Sequence, residues 1–217
     1  MTSGKEYFKY SNPRKIHFSG VKWDKETSEL IVADDTGHIM FVNIKGEKAN
    51  FEEKVAGSPI LNFEIVKEVS YLIITTQEEI IFYKINKGFQ VQKLSGGHVG
   101  PVTGLFYLDF KRIHGSYIKS SSRLLSMGDD NTIRVWDSVD QTEMACFTCP
   151  QDTEIICMEY LSKFGLLITG HENGDIYMWD IEIGNKIKLK TKSKGADTIC
   201  CLSHYSTKDM DLLFSSG

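Results

Sequence analysis

Arg123-Leu-Leu-Ser-Met-Gly-Asp-Asp-Asn-Thr-Ile-Arg-Val-Trp136-Asp137 and Gly165-Leu-Leu-Ile-Thr-Gly-His-Glu-Asn-Gly-Asp-Ile-Tyr-Met-Trp179-Asp180 are two copies of one pattern. Each runs from a hydrophobic stretch through a polar turn into a second stretch that closes on Trp-Asp. Short apolar runs bounded by Asp, Asn and Gly read as β-strands rather than helices. The isoleucine that opens the Trp-Asp stretch recurs as Ile39, Ile80, Ile133 and Ile176, at intervals of 41, 53 and 43 residues. A repeat of that length is one supersecondary unit stacked on its copies.

Just before each of these strands comes a turn: Thr36-Gly37, Gln77-Glu78, Asp130-Asn131 and Asn173-Gly174. Three of the four carry Gly or Asn at the second position, where a tight hairpin needs a positive φ. An earlier strand precedes each pair: Val102-Thr-Gly-Leu-Phe, Ile156-Cys-Met-Glu-Tyr and Ile199-Cys-Cys-Leu-Ser, with Ile60-Leu-Asn-Phe-Glu and His17-Phe-Ser-Gly-Val as looser matches. No helical period of useful length appears. The long interval in the third unit comes from residues 109–122, which read as a surface insertion between its first and second strands. Asp211-Leu-Leu-Phe-Ser-Ser-Gly217 matches the second strand of a fifth unit.

This pattern resembles the WD40-repeat β-propeller family, most specifically over residues 97–180. The resemblance implies an all-β, WD40-type β-propeller that is incomplete, with four blades and part of a fifth. The expected organisation is an N-terminal segment 1–14 and a partial propeller 15–217, in units of about 15–57, 58–94, 95–150, 151–194 and 195–217. In this family a Gly-His precedes the first strand, a Ser or Thr lies on the second, an Asp in the turn and a Trp on the third. Gly97-His98, Ser126, Asp130 and Trp136 supply all four. They imply a hydrogen-bonded network of Asp to His, His to Ser and Ser to the indole N–H.

The fourth unit carries Thr169, Asn173 and Trp179 as a partial network, with no Gly-His ahead of Ile155; His171 is expected in the turn. At the Ser, Asp and Trp positions the first unit has Val32, Thr36 and Val42, and the second has Ile73, Gln77 and Tyr83. His98, Ser126 and Asp130 also contain the residue types of a Ser-His-Asp triad. No nucleophile-elbow motif surrounds Ser126, however, and no catalytic site is expected there.

The chain has 217 residues, 41% hydrophobic and 25% charged, with a net charge of −4. That balance suits a globular protein and offers no field to draw nucleic acid or an anionic membrane. No apolar run approaches the roughly 18 residues of a membrane span. The first ten residues lack the apolar core of a signal peptide, and the five cysteines are an odd number, so a reducing cytoplasmic setting is expected. Cys146-Phe-Thr-Cys149 is a lone C-x-x-C, and Cys157 and Cys200 fall at matching places in their first strands, as core cysteines would. Ser95-Gly-Gly-His-Val-Gly100 lacks the Gly-Lys-Ser/Thr ending of a phosphate loop. No metal and no cofactor are expected.

The resemblance implies a non-catalytic scaffold for protein partners; the alternative is a propeller enzyme with a central active site. Two surface features are candidates for partner binding. Asp35, Asp129 and Glu172 precede the aligned turn positions and form an acidic set on a face that the family commonly uses for docking. Lys186, Lys188, Lys190, Lys192 and Lys194 alternate strictly, so in a flat strand all five would share one face, suited to an acidic surface such as a tubulin tail. Residues 170–184 are also similar to repeats of ciliary and flagellar WD40 proteins. This implies a cilium or cytoskeletal setting, with tubulin or axonemal partners.

Overall fold

The computed structural model describes residues 9–45, 48–66, 71–84, 89–94, 97–114, 117–149, 153–161, 163–181, 186–192, 198–207 and 210–217. These residues contain strands and turns and no helix. The chain forms two compact units, Met1–Ser95 and Gly96–Gly217.

The first unit holds two four-stranded antiparallel sheets, each in sequence order. One is β1 (Phe18–Asp24), β2 (Glu29–Asp34), β3 (His38–Asn43) and β4 (Lys48–Lys54). The other is β5 (Asn62–Val66), β6 (Tyr71–Thr75), β7 (Ile80–Lys84) and β8 (Phe89–Leu94). Ile31, Ala33 and Ile39 of one sheet and Phe63, Leu72, Ile74 and Ile81 of the other share a core that excludes water. Burying each such side chain contributes about 1.5–3 kcal/mol.

The second unit repeats the arrangement. Its first sheet is β9 (Val102–His114), β10 (Tyr117–Gly128), β11 (Thr132–Asp137) and β12 (Glu143–Thr148). The next is β13 (Ile155–Leu161), β14 (Leu166–His171), β15 (Asp175–Asp180) and β16 (Lys186–Lys192). The last contains β17 (Cys201–Ser206) and β18 (Asp211–Ser216). Leu125, Met127, Ile133, Val135 and Phe147 pack against Met158, Tyr160, Leu167, Tyr177 and Trp179. The other face of β14 and β15 packs Ile168 and Ile176 on Ile199 and Leu202. The central strands are therefore apolar on both faces, which is why they read as nearly continuous hydrophobic runs.

Four expectations are corrected. Three of the four turns are three-residue loops rather than two-residue ones, and the second sheet's is the four-residue loop Thr76–Glu79. Gly37, Asn131 and Gly174 take φ of 84°, 56° and 79° as their third residue, and each N–H bonds the carbonyl three residues back, in Asp34, Gly128 and His171. This is a type I turn closed by a left-handed residue. The 109–122 insertion is no loop: β9 and β10 pair continuously out to His114↔Tyr117, because the backbone groups of a long extension are satisfied most simply by continuing the ladder.

The third correction concerns the lysine strand. The ladder between the third and fourth strands slips by one residue at the same place in all four sheets, between Phe41/Val42, Phe82/Tyr83, Val135/Trp136 and Met178/Trp179. In β16 the extra residue is Lys188. The bulge breaks the uninterrupted backbone ladder that strict alternation over Lys186–Lys192 requires. Lys194 lies outside the described residues.

The fourth correction is at the cysteines. Cys149 is buried, with its thiol pushed up to about 12 by burial, but Cys200 and Cys201 are exposed. The counterpart of Cys157 is Cys201: Cys157 faces Gly170, and Cys201 faces Ser216. Cys201 opens the two-stranded sheet and Cys200 immediately precedes it, and that sheet has far less cover than the other four.

Candidate functional site

The third sheet gathers His98, Ser126, Asp130 and Trp136 into one chain of hydrogen bonds. Trp136 Nε1–H donates to Ser126 Oγ at 2.8 Å, Ser126 Oγ lies 2.7 Å from His98 Nε2, and His98 Nδ1 lies 2.9 Å from Asp130 Oδ1. An indole N–H can only donate and a carboxylate can only accept. One direction satisfies every atom: indole to hydroxyl, hydroxyl to Nε2, and Nδ1–H to carboxylate. That direction needs a neutral imidazole, and burial pushes the His98 pKa down despite the opposing pull of Asp130.

Asp130 is the anchor of the loop. It accepts the backbone N–H of Val99 at 2.9 Å and of Thr132 at 3.2 Å, and the Thr132 hydroxyl at 2.7 Å. Burial pushes its carboxyl up, but the bonds from His98, Val99 and Thr132 outweigh this and hold it at about 2. Two glycines make room. A Cβ on Gly97 would sit 2.4 Å from Trp136 Cη2, and one on Gly128 would sit 2.6 Å from His98 Nδ1. Thr132, Gly97 and Gly128 belong to this site as much as the four named residues do.

In the fourth sheet His171 is not in the turn, as expected from the sequence, but is the last residue of β14 and completely buried. Trp179 Nε1–H donates to Thr169 Oγ1 at 2.9 Å, Thr169 Oγ1 lies 2.9 Å from His171 Nε2, and His171 Nδ1 lies 3.1 Å from Thr153 Oγ1. Its ring also meets Tyr177 edge-on, with centroids 4.8 Å apart. The histidine that was expected to be missing is supplied from within the strand. Asn173 is not part of this chain. It holds Asp175 instead, donating Nδ2–H to Asp175 Oδ2 and accepting the Asp175 N–H, both at 3.0 Å.

The first sheet has its own polar cluster, which the sequence reading missed. Asp34 ends β2 at the position of Gly128 and His171, and it is fully buried. It accepts from Asn12 Nδ2 at 3.1 Å, Arg14 Nη2 at 2.8 Å, and Thr36 Oγ1 at 2.8 Å. Burial opposes its ionisation, but these donors hold its carboxyl far below the usual range. Arg14 also pairs with Glu52. The equivalent residue in the second sheet is Thr75, again fully buried. The repeated signal was a polar residue or glycine five positions before each anchoring isoleucine.

On the surface, Asp35, Asp129 and Glu172 are exposed at the first position of their loops. Each backbone N–H is fixed to a carbonyl ahead of its sheet's first strand: Asp35 to His17 at 3.3 Å, Asp129 to Pro101 at 3.0 Å, and Glu172 to Glu154 at 3.1 Å. The carboxylates stand on fixed backbone and face solvent. Among the described residues no cluster of His, Cys, Asp or Glu has metal-ligand geometry.

No family model matches the chain. Eukaryotic translation initiation factor 3 subunit I of Nematostella vectensis is 35% identical over 77 residues, which is 34% of this chain and 23% of that protein. The solved structure of U3-55K superposes with a TM-score of 0.70 at 17% identity, covering 89% of this chain and 57% of that one. The chain therefore spans about a quarter of the curated relative's length and somewhat over half of the solved structure's. With the Trp-Asp repeats and the four-stranded antiparallel sheets, the likeness to the solved structure shows the all-β fold of a WD40-type β-propeller.

Proposed function

We propose that this chain is a non-catalytic scaffold that receives protein partners on its exposed turn face. The observation that carries the reading is the equivalence of Asp35, Asp129 and Glu172, which present carboxylates to solvent from identical, backbone-anchored loop positions. Rigid presentation lowers the ordering cost of binding and lets complementary charge choose the partner. The curated relative is by its name a subunit of a larger factor, in keeping with such a role.

Ser126 argues against a hydrolase. It is completely buried, and its oxygen is engaged by both an indole and an imidazole, so no substrate reaches it. Ser126→Ala should lower the melting temperature; abolition of a hydrolase activity would overturn the reading.

The setting we propose is a cytoplasmic, ciliary or cytoskeletal assembly with tubulin or axonemal proteins as partners. It is supported by the likeness of residues 170–184 to ciliary WD40 repeats and by the concentration of lysines in the sequence from Lys186 to Lys194, whichever faces they occupy. Two measurements test these levels separately. Asp129→Lys with Glu172→Lys should remove partners from a pull-down at low salt, and unchanged recovery would remove the acidic face. Microtubule co-sedimentation should weaken as salt shortens the Debye length to about 8 Å. It should also weaken on replacing Lys188, Lys190 and Lys192 by Gln, and sedimentation indifferent to both would remove tubulin.

A further inference from the structure

β9 and β10 outrun the sheet they belong to. β11 pairs with β10 only as far as Asp137↔Arg123. Just beyond, Ser138 donates its N–H and its hydroxyl to the Ser122 carbonyl at 3.2 and 2.9 Å. Past that clamp β9 and β10 continue as a two-stranded ribbon from Ser122↔Asp109 to Tyr117↔His114, with no third strand beside them among the described residues. At about 3.4 Å per residue the ribbon runs on for roughly 17 Å. It is particular to this sheet: β9 has 13 residues where β1, β5 and β13 have 7, 5 and 7.

The register brings together residues that the chain keeps apart. Directly opposed residues of an antiparallel pair share a face, and alternate positions continue it. The ladder is regular from Tyr117 to Met127, so one face of the ribbon holds Phe110 with Ser121, Arg112 with Lys119, and His114 with Tyr117. The same series starts inside the sheet at Leu108, a member of the core, and changes to cations once the sheet is left behind. Arg112 and Lys119 are directly opposed, with Phe110 two positions to one side and the His114–Tyr117 pair two positions to the other. Residues 110–121 include Lys111, Arg112 and Lys119 and no Asp or Glu, in a chain of net charge −4. Like charges set opposite each other destabilise a ribbon that is only marginally stable in water by itself. A polyanion laid along this face relieves the repulsion. The acidic remainder of the chain does not cancel the charge, because the ribbon is longer than the Debye length of about 8 Å at physiological strength.

We propose that this face of the β9–β10 ribbon binds a single strand of nucleic acid. Arg112 and Lys119 take backbone phosphates, and Phe110 and Tyr117 offer rings on which bases stack. The rings decide between polyanions: an acidic peptide satisfies the cations but makes no use of the aromatic residues. Net charge gives no hint of the site, because it is local and depends on the register that sets Lys119 beside Arg112. The site goes beyond the scaffold reading and uses neither the acidic loops nor the lysines of β16.

The test is fluorescence anisotropy of labelled oligouridylate RNA and oligothymidylate DNA of about 12 nucleotides, titrated with the 217-residue chain. A polyglutamate peptide of equal charge is the competing polyanion. Saturable binding of an oligonucleotide is expected, at least about tenfold tighter than that of the peptide. Binding of either strand supports the site, and comparing the two shows whether the 2′-hydroxyl is read. Phe110→Leu and Tyr117→Leu should each weaken the oligonucleotide by about tenfold and leave the peptide unaffected. Arg112→Gln with Lys119→Gln should weaken both and lower the slope of log K on log salt by about 1.4, the share of two phosphate contacts. Replacing residues 112–119 by Asn-Gly closes the ladder at Lys111↔Ser120. That variant should lose oligonucleotide binding and keep the parent's melting temperature. No saturable oligonucleotide binding, equal binding of the peptide, indifference to both ring substitutions, or binding retained by the shortened ribbon would each overturn the proposal.

Discussion

Gly128 and His171 stand at the same position, the last residue of the second strand in consecutive sheets, and they build one hydrogen-bonded arrangement by opposite routes. At Gly128 the missing side chain leaves space that His98 enters from ahead of the first strand. At His171 the imidazole is attached to the strand itself and turns back to Thr169. In both sheets the ring nitrogen reaches a hydroxyl that also accepts a tryptophan N–H. The requirement is for an imidazole at that place, and the chain meets it from either of two backbone positions.

The equivalence predicts a rescue. Gly128→Ala should cost about 1–3 kcal/mol, because its Cβ would collide with His98. In a His98→Ala background the collision is gone, and adding Gly128→Ala should cost much less. A double-mutant cycle by chemical denaturation measures the coupling; strict additivity would show that the ring does not occupy that space.

In the fourth sheet, Thr169→Val should cost about 1–3 kcal/mol, since it strands the Trp179 N–H and one nitrogen of His171 in a buried site. Asn173→Ala should cost less, because Asn173 serves only Asp175 at the loop. Melting curves of the two variants decide the order, and a larger loss at Asn173 would contradict the geometry.

Acid should weaken the fold before any carboxylate titrates. The folded-state pKa values of His98 and His38 are both lowered, with burial the largest cause. As pH falls through about 6.5 the unfolded chain binds protons that the folded chain does not, so stability is full above that value and declines below it. The low pKa of Asp130 adds a second loss, beginning near pH 4 and continuing toward about 2. Denaturant midpoints between pH 8 and pH 5 should therefore fall with acid, and His98→Gln should flatten the slope.

The cluster around Asp34 ties the segment before β1 to the first sheet. Asp34→Ala removes the acceptor for Asn12, Arg14 and Thr36 together, with an expected loss of about 3 kcal/mol. Limited proteolysis should then cut first near residues 12–15. Undiminished protection there would show that the aspartate does not hold the segment.

The sequence by itself determined the repeat and the strand order, and its family resemblance implied four members of the third sheet's network, though not Thr132 or Gly128. Trp-Asp at a fixed distance from a polar loop is a local pattern, and local patterns survive in one dimension. Even the positive φ at Gly37, Asn131 and Gly174 was legible, because only certain residues tolerate it. Only the tertiary structure decided how His171 is used, because the direction of a side chain at a strand end depends on whether a neighbouring imidazole already fills the space. The bulge at Lys188 was likewise invisible: alternation along one strand carries no record of how its partner's ladder slips. The exposure of Cys200 and Cys201 depends on which sheet faces which. Burial is a property of the assembled layers, and two strands with the same pattern differ in it when one of them has neighbours on both sides.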